Sequence, residues 1–410
     1  MESLHGCGPA PAASFEEIKA RAEKTLCRTY SRYPVGVRAA RGSRIWDFDG
    51  REYIDLLAGI AVTGVGHAHP QVNAAMLRQM EKLTHVSNLF YQEEQVLLAE
   101  KLLASNHCSK VFFCNSGAEA NEAAIKLARR FQRKVRGEDR YEIITLSSCF
   151  HGRTLGALAA TGQARLQDGF APFPPGFLQV EAENMEALRA AVSPACAAIM
   201  LEVVQGEGGV RPLSRDYVRA VEDLCQERGL LFIIDEVQAG MGRSGHWWAF
   251  QHYGVKPHIF TSAKALANGL PMGAMLCTEE TAQGFDYGSH ATTFGGNALC
   301  SAAALAVLEV MEKERLPERA ARLGLWAKHR FEGIAAALPG SIREVRGLGL
   351  FLGIELAAPG KDLWEALLRK GFILNLTQER VLRLLPALNI AEEDLEAFAL
   401  ALEESLAERK

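Results

Sequence analysis

An α/β fold, with a largely parallel sheet covered by helices on both faces and a smaller α+β domain after it, is the architecture this sequence predicts. Three observations point there. From about residue 71 onward, short and continuously apolar runs alternate with helical stretches, the pattern of strands buried on both faces. Several of those runs end abruptly in polar or charged residues, as strands do where they open onto a ligand crevice. Beyond about residue 320, longer helices mix with short strand-like runs. At 410 residues the chain is long enough for a large domain and a smaller one. The pattern divides it into 1–66, a segment expected to pack with the small domain, a large domain at 67–315 and a small domain at 316–410.

In chain order, residues 15–27 read as a short amphipathic helix. Arg44–Phe48 and Glu52–Leu56 flank Asp49-Gly50, a hairpin signal, and a Gly/His-rich loop follows at 59–70. Helices are expected at Asn73–Leu83 and Glu93–Ala104, and a strand at Val111–Cys114. The Ala118–Phe131 stretch reads as a helix, helped by Glu122 four residues before Lys126. Further strands are expected at Glu142–Leu146, Ala197–Val204, Leu230–Ile234 and Gly273–Cys277, with a helix at 215–228 and a long one at 297–314. The C-terminal part carries helices at Ala320–Leu338, Asp362–Lys370 and Glu392–Ala407, and short strands near 342–346, 350–356 and 381–385.

Bulk composition narrows the function classes. The chain is 48% hydrophobic and 23% charged, with a net charge of −4 and both signs interspersed, so it advertises no nucleic-acid or membrane patch. Small molecules are the expected partners. Nine cysteines with no CxxC pair read as reduced thiols, with no disulfide frame and no metal site. Met1–Ser14 lacks a basic start followed by an apolar core, and the uncharged run Leu56–Leu77 is broken by His67, His69, Pro70, Gln71 and Asn73. A cytoplasmic protein is expected.

The stretch around Lys264 organises the chemistry. Ile259-Phe260 leads through Thr261 and Ser262 to a single lysine, followed by small residues and Gly269, Pro271 and Gly273. A lysine just past a strand end, among small apolar neighbours, loses solvation, so its free amine becomes available as a nucleophile toward a carbonyl. A surface lysine in a Gly/Pro loop is the alternative. Val111–Ala118 runs from strand into helix through Asn115-Ser116-Gly117. The N–H groups there favour a phosphate, or Asn115 or Ser116 is a plain cap. Leu230–Ile234 ends in Asp235-Glu236, where a buried carboxylate needs a cationic partner, such as a protonated ring nitrogen, or forms an ion pair. Phe150 reads as a stacking ring or a core residue, and Arg153 as a carboxylate clamp or a surface charge. Glu207 sits in the Gly-rich turn Gln205-Gly-Glu-Gly-Gly209, and Thr292 and Thr293 precede a helix. Arg383, alone in the apolar run Val381–Leu385, calls for a specific partner. Together these supply parts that match pyridoxal phosphate: an aldehyde partner, a phosphate cradle, an acid for a pyridinium nitrogen and a flat surface.

From roughly Tyr30 to Ala407 the sequence resembles the class III, ornithine-type aminotransferases of pyridoxal-phosphate fold type I. The motifs that carry the likeness are Asn115-Ser-Gly-Ala-Glu-Ala-Asn-Glu-Ala-Ala, Phe150-His-Gly-Arg-Thr-Leu-Gly, Gln205-Gly-Glu-Gly-Gly, Asp235-Glu-Val-Gln-Ala-Gly-Met-Gly-Arg, Thr261-Ser-Ala-Lys-Ala-Leu, Thr293-Phe-Gly-Gly-Asn and Leu382-Arg-Leu-Leu-Pro. The resemblance implies a seven-stranded sheet in the large domain. It also implies that Lys264 carries the cofactor as a Schiff base and that Asp235 pairs with its ring nitrogen. Phe150 and Val237 would sandwich the ring, and Gln238 would bond its phenolic oxygen. Ser116, Gly117 and Ala118 would hold the phosphate, with Thr293 of the partner subunit of a homodimer. Arg153 would bind a substrate carboxylate, with Thr292 nearby, and Glu207 would pair with Arg383 in one half-reaction and release it in the other. Departures are His258, where the family usually has Asp, and Val203, where Pro often follows Glu202. Ile60 stands where enzymes acting on free ornithine carry tyrosine. The nearest branch by pattern transfers the terminal amino group of N-acetylornithine to 2-oxoglutarate in arginine synthesis. Succinylornithine, N-succinyldiaminopimelate, ornithine and 4-aminobutyrate remain as alternative amines.

Two other classes stay open. A non-transaminating enzyme on the same cofactor would not be returned to its aldehyde form by 2-oxoglutarate. A silent scaffold would purify colourless.

Overall fold

The computed structural model describes residues 13–409, so nearly all of the Met1–Ser14 stretch read for a secretion signal lies outside the described residues. Its centre is a seven-stranded sheet of β1 (Lys110–Cys114), β2 (Glu142–Leu146), β3 (Phe177–Val180), β4 (Cys196–Leu201), β5 (Leu231–Asp235), β6 (Ile259–Ser262) and β7 (Gly273–Cys277), in the order β1-β7-β6-β5-β4-β2-β3. Neighbours from β6 to β3 run parallel, whereas β7 is antiparallel to both β6 and β1. The period-two alternation of each strand divides its side chains between two cores. Ile143, Ala198, Met200, Leu231, Ile233 and Ile259 pack against Ala123, Ala124, Leu127, Ala128 and Phe131 of the Gly117–Lys134 helix. Ile144, Ile199, Leu201, Phe232, Ile234 and Phe260 face the other way into a larger cluster with Trp248, Phe250 and the Ala298–Lys313 helix.

That order positions the site. Asp235 lies in register with Thr261 on the adjacent strand, so β5 and β6 open side by side onto Asp235 and Lys264. Gly273 opens β7 opposite Cys114, where β1 ends and the Gly117–Lys134 helix begins. The segments after β2 and β4 carry Phe150 and Glu202. Hence these residues gather along one rim of the sheet, its carboxyl edge.

The helices and hairpin expected from periodicity are present within a few residues of their expected ends. The strand expected to run to Val204 stops at Leu201, and Val204–Gln205 instead pairs with Arg211–Pro212. Short or half-exposed strands went unforeseen, among them Phe177–Val180 at the sheet edge. The Glu122–Lys126 pair does not form. Glu122 accepts from the Thr154 hydroxyl and from the N–H groups of Gly156 and Ala157, at the start of the Leu155–Ala160 helix, while Lys126 turns to His290. Three hydrogen bonds to a helix N-terminus outweigh one exposed pair.

Two further sheets flank the C-terminal helices. Ile342–Leu348, Phe351–Leu356, Val381–Leu384 and Asn375–Thr377 form an antiparallel sheet. Phe372–Ile373 joins the N-terminal strands Val37–Arg41, Arg44–Asp47 and Glu52–Asp55. The departures at 203 and 258 serve packing. Val203 is fully buried with its carbonyl accepting from the Tyr253 hydroxyl, and His258 Nδ1 accepts from the Phe232 N–H at 3.0 Å. No helix among the described residues is long and apolar enough to cross a membrane.

Candidate active site

A cavity of about 410 Å³ opens at the carboxyl rim, lined by Ser116, Gly117, Ala118, Phe150, Arg153, Asp235, Val237, Gln238 and Lys264 among others. Each was singled out from the sequence. Lys264 leaves β6 through Ala263 into a short 3-10 turn, Lys264–Ala267, with φ of +43°. A non-glycine residue in the left-handed region is strained by about 1–3 kcal/mol, and such strain is held only where surroundings over-determine it. Asn268, also at positive φ, supplies the hold: its side chain accepts from the Val65 N–H and donates to the Gly66 carbonyl. Burial lowers the Lys264 pKa to about 8, with Arg383 adding to the effect and Glu207, Asp235 and Glu202 opposing it.

Asp235 ends β5 and is 4% exposed, too little for water to satisfy it. It accepts three hydrogen bonds: from Asn121 Nδ2 at 2.7 Å, His151 Nδ1 at 2.8 Å and the Val237 N–H at 2.9 Å. Asn121 is fixed in turn by Thr261, whose hydroxyl donates to Asn121 Oδ1 at 2.8 Å. Burial disfavours the charged form of His151, yet Cys149 and Asp235 raise its pKa well above the usual imidazole value. The buried Nε2 of His151 has no hydrogen-bond partner among the described residues. Glu202, also in the cavity wall, accepts from the Phe150 N–H at 2.9 Å, and burial raises its pKa above the ordinary carboxylate value.

Sequence reasoning passed over Asn121, His151, Thr261 and Glu202 as site residues. His151 lay within a quoted motif and carried no local sign of its partner. Asn121, a polar residue buried inside a helix, was the signal that would have exposed the network.

Two glycines make room by close approach. A Cβ on Gly117 would stand 2.7 Å from Val237 Cγ1, and one on Gly206 would stand 2.4 Å from Gln238 Oε1. The helix start therefore lies directly against Val237, and Gln238 is pressed to the Glu207 turn. Ser116 caps the 18-residue Gly117–Lys134 helix by accepting from the Glu119 N–H, which leaves the first-turn N–H groups of Gly117 and Ala118 without intrahelical partners.

Arg383 has the partner its isolation demanded. It donates from Nη1 to Glu207 Oε1 at 2.5 Å and to Gln238 Oε1 at 3.1 Å. Burial would raise the Glu207 pKa, but Arg383 and Lys264 overrule it and hold the carboxyl below its usual value. Arg153 is exposed at the mouth with its guanidinium 5.6 Å from the Phe150 ring centre. Thr292 and Thr293 are not brought to this cavity. They line a second one of about 700 Å³ with Asn88, Leu89 and Tyr287, and the Thr292 hydroxyl accepts from Asn115 Nδ2 at 3.0 Å.

Pyridoxal phosphate fits this set on three observations. The lysine lines the cavity, half-buried and with a depressed pKa, free helix N–H groups stand at the cavity wall, and a strand-end carboxylate is already oriented by three donors. The cavity is of small-molecule size.

The family model for class III aminotransferases matches residues 26–406. The acetylornithine aminotransferase of Methanocaldococcus jannaschii is 47% identical over 388 residues, covering 95% of this chain and 97% of that one. An ornithine aminotransferase from Toxoplasma gondii, whose structure records partial occupancy of pyridoxal phosphate at the active site, superposes with a TM-score of 0.92 at 32% identity, covering 96% of this chain and 94% of its own. The N-acetylornithine aminotransferase of Stenotrophomonas maltophilia superposes with a TM-score of 0.80 at 34% identity, covering 93% and 97%.

Proposed function

Because this chain belongs to the class III aminotransferases, we propose that it transfers the terminal amino group of N-acetylornithine to 2-oxoglutarate, giving N-acetylglutamate semialdehyde and glutamate for arginine synthesis. It is an aminotransferase, and its cofactor is pyridoxal phosphate. The observation that carries the reading is the Glu207–Arg383 pair beside a half-buried, pKa-depressed Lys264. Such a pair suits an enzyme whose two substrates differ by one carboxylate. An acylated amine brings no second anion, so Glu207 neutralises Arg383; a dicarboxylate brings its own and displaces Glu207.

When bound, pyridoxal phosphate supplies an electrophilic carbonyl and an electron-withdrawing ring. The chain's residues do the rest. Lys264 Nζ would hold the cofactor and, as a free amine, would move the proton at the substrate's nitrogen-bearing carbon. Asp235, oriented by Asn121 and His151, would pair with the cofactor's ring nitrogen and keep it protonated. Ser116, Gly117 and Ala118 would receive the phosphate at the helix N-terminus, Phe150 and Val237 would flank the ring, and Gln238 would meet its phenolic oxygen. Arg153 grips the α-carboxylate at the mouth.

Thr293 of the partner subunit completes the phosphate site in a homodimer. Exposed Leu77, Met80, Leu89, Phe90, Tyr91 and Phe294 support such an interface, and Leu89 shares the second cavity with Thr292 and Thr293. A cytoplasmic setting agrees with the reduced cysteines expected from the sequence.

Two results follow. With a pKa of about 8 in place of 10.5, the free-amine fraction of Lys264 at pH 7 is about 300-fold that of an ordinary lysine. The free amine is the reactive form, so cofactor loading of the apoenzyme should quicken as pH rises toward about 8 and level off above it. A rate still climbing at pH 10 would argue for an unshifted lysine. The second result concerns the substrate. By the resemblance Ile60 stands where enzymes acting on free ornithine carry tyrosine and would offer no partner to an α-ammonium, so kcat/KM for N-acetylornithine should exceed that for free ornithine by at least about tenfold, worth roughly 1.4 kcal/mol. Equal turnover of the two amines would remove the acylated substrate from this reading.

A further inference from the structure

Arg383 is 1% exposed, and a buried guanidinium that must release one partner needs another that stays. Its Nη1 serves Glu207 and Gln238, but its Nε donates at 3.1 Å to Oδ1 of Asn375, the residue directly opposite on the neighbouring antiparallel strand. Cross-strand partners share one face of a sheet, so this contact is built into the strand register. The Asn375 amide is oriented from behind: its Nδ2 donates at 3.3 Å to the Tyr33 hydroxyl, which itself donates to the Leu374 carbonyl at 3.2 Å. Tyr33 is seated edge-on against Trp364, with ring centres 4.7 Å apart, and Trp364 Nε1 donates to the same Leu374 carbonyl at 2.9 Å. Burial raises the Tyr33 pKa, so the phenol keeps its proton.

The geometry points to Asn375, oriented by Tyr33, as the positioning residue that holds Arg383 in place when Glu207 leaves, and so sets affinity for the dicarboxylate substrate. The inference rests on the reading of Arg383 as the dicarboxylate-binding arginine. A neutral acceptor suits this role, because the amide oxygen fixes Nε without consuming the guanidinium charge, which remains for Glu207 or for the substrate to take. An aspartate in its place would neutralise Arg383 permanently. The backbone on the Glu207 side is also fixed. The Glu207 carbonyl accepts from Thr377 Oγ1 at 3.1 Å and Gln378 Nε2 at 2.8 Å, and Arg346 donates to the carbonyls of Gly209 and Val210. The exchange is thereby confined to the Glu207 side chain, while the arginine stays put.

The test compares three holoenzyme variants, with each half-reaction followed separately by cofactor absorbance. Asn375→Asp should raise KM for glutamate and 2-oxoglutarate at least about tenfold and leave KM for the acylated amine within about twofold. Tyr33→Phe, which removes only the hydroxyl, should raise the dicarboxylate KM about threefold with kcat unchanged. Arg383→Gln is the control on the parent reading. If Arg383→Gln weakens dicarboxylate binding and Asn375→Asp does not, the positioning role is wrong. If both half-reactions of Asn375→Asp suffer equally, the residue is a general structural support and the inference also fails. If Arg383→Gln leaves dicarboxylate KM unchanged, the reading of Arg383 itself falls.

Discussion

Lys264→Ala should lower kcat by about 10⁴-fold while the fold and the cavity remain intact. The magnitude is the upper end of what a positioned proton-transfer group contributes, and the same amine is also the proposed anchor of the cofactor. Structural damage should be small because alanine already occupies positions 263 and 265, and the turn is held by Asn268 through Val65 and Gly66. Alanine inherits the same left-handed backbone, so the local strain persists without its function. The measurement is single-turnover decay of the cofactor absorbance with amine substrate, alongside thermal unfolding of the apoenzyme. A loss below about tenfold would mean that another group moves the proton.

Asp235→Asn should cost about 10²- to 10³-fold in kcat, the range seen when one preorganised electrostatic partner is removed. The side-chain size is retained, so the loss reports charge and hydrogen bonding rather than packing. Asn121 Nδ2 and His151 Nδ1 both donate to Oδ2 of Asp235, and an amide there cannot offer a full acceptor to each while also accepting from the Val237 N–H. One buried donor is left poorly paired, a penalty of about 1–3 kcal/mol. Removing the carboxylate also takes away one of the two neighbours that hold the His151 pKa up, so burial should push it back down. Thermal unfolding should therefore show a lowered midpoint, and the activity loss should exceed what partial unfolding explains. An Asp235→Asn enzyme with near-normal kcat would separate this carboxylate from the chemistry.

The strands and the site were legible to different degrees, and for a physical reason. Strands buried on both faces are written as apolar runs, so β4, β5 and β7 could be read directly, and the polar residues that end β5 and β6 marked the rim. Phe177–Val180 carried no such mark because it is an edge strand, half exposed, with Gln179 in its middle. Lys264, Asp235 and Arg383 announced themselves as charges where apolar runs end or should continue. Asn121, Asn375 and Tyr33 did not, because their roles arise only when distant segments meet: Asn375 and Tyr33 are 342 residues apart, and Asn121 reaches Asp235 across 114. The Glu122–Lys126 expectation failed for the same reason. Local spacing permitted the pair, and a helix start brought close in space took the carboxylate instead.

Every role proposed for the cavity residues depends on covalent attachment of the cofactor at a single amine. Borohydride reduction of the holoenzyme, followed by proteolysis and peptide mapping, reads that attachment directly. The label should appear once per chain, on the peptide that carries Lys264. A label on any other lysine, or a holoenzyme that takes none, would contradict the roles assigned to Lys264, Asp235 and the residues around them.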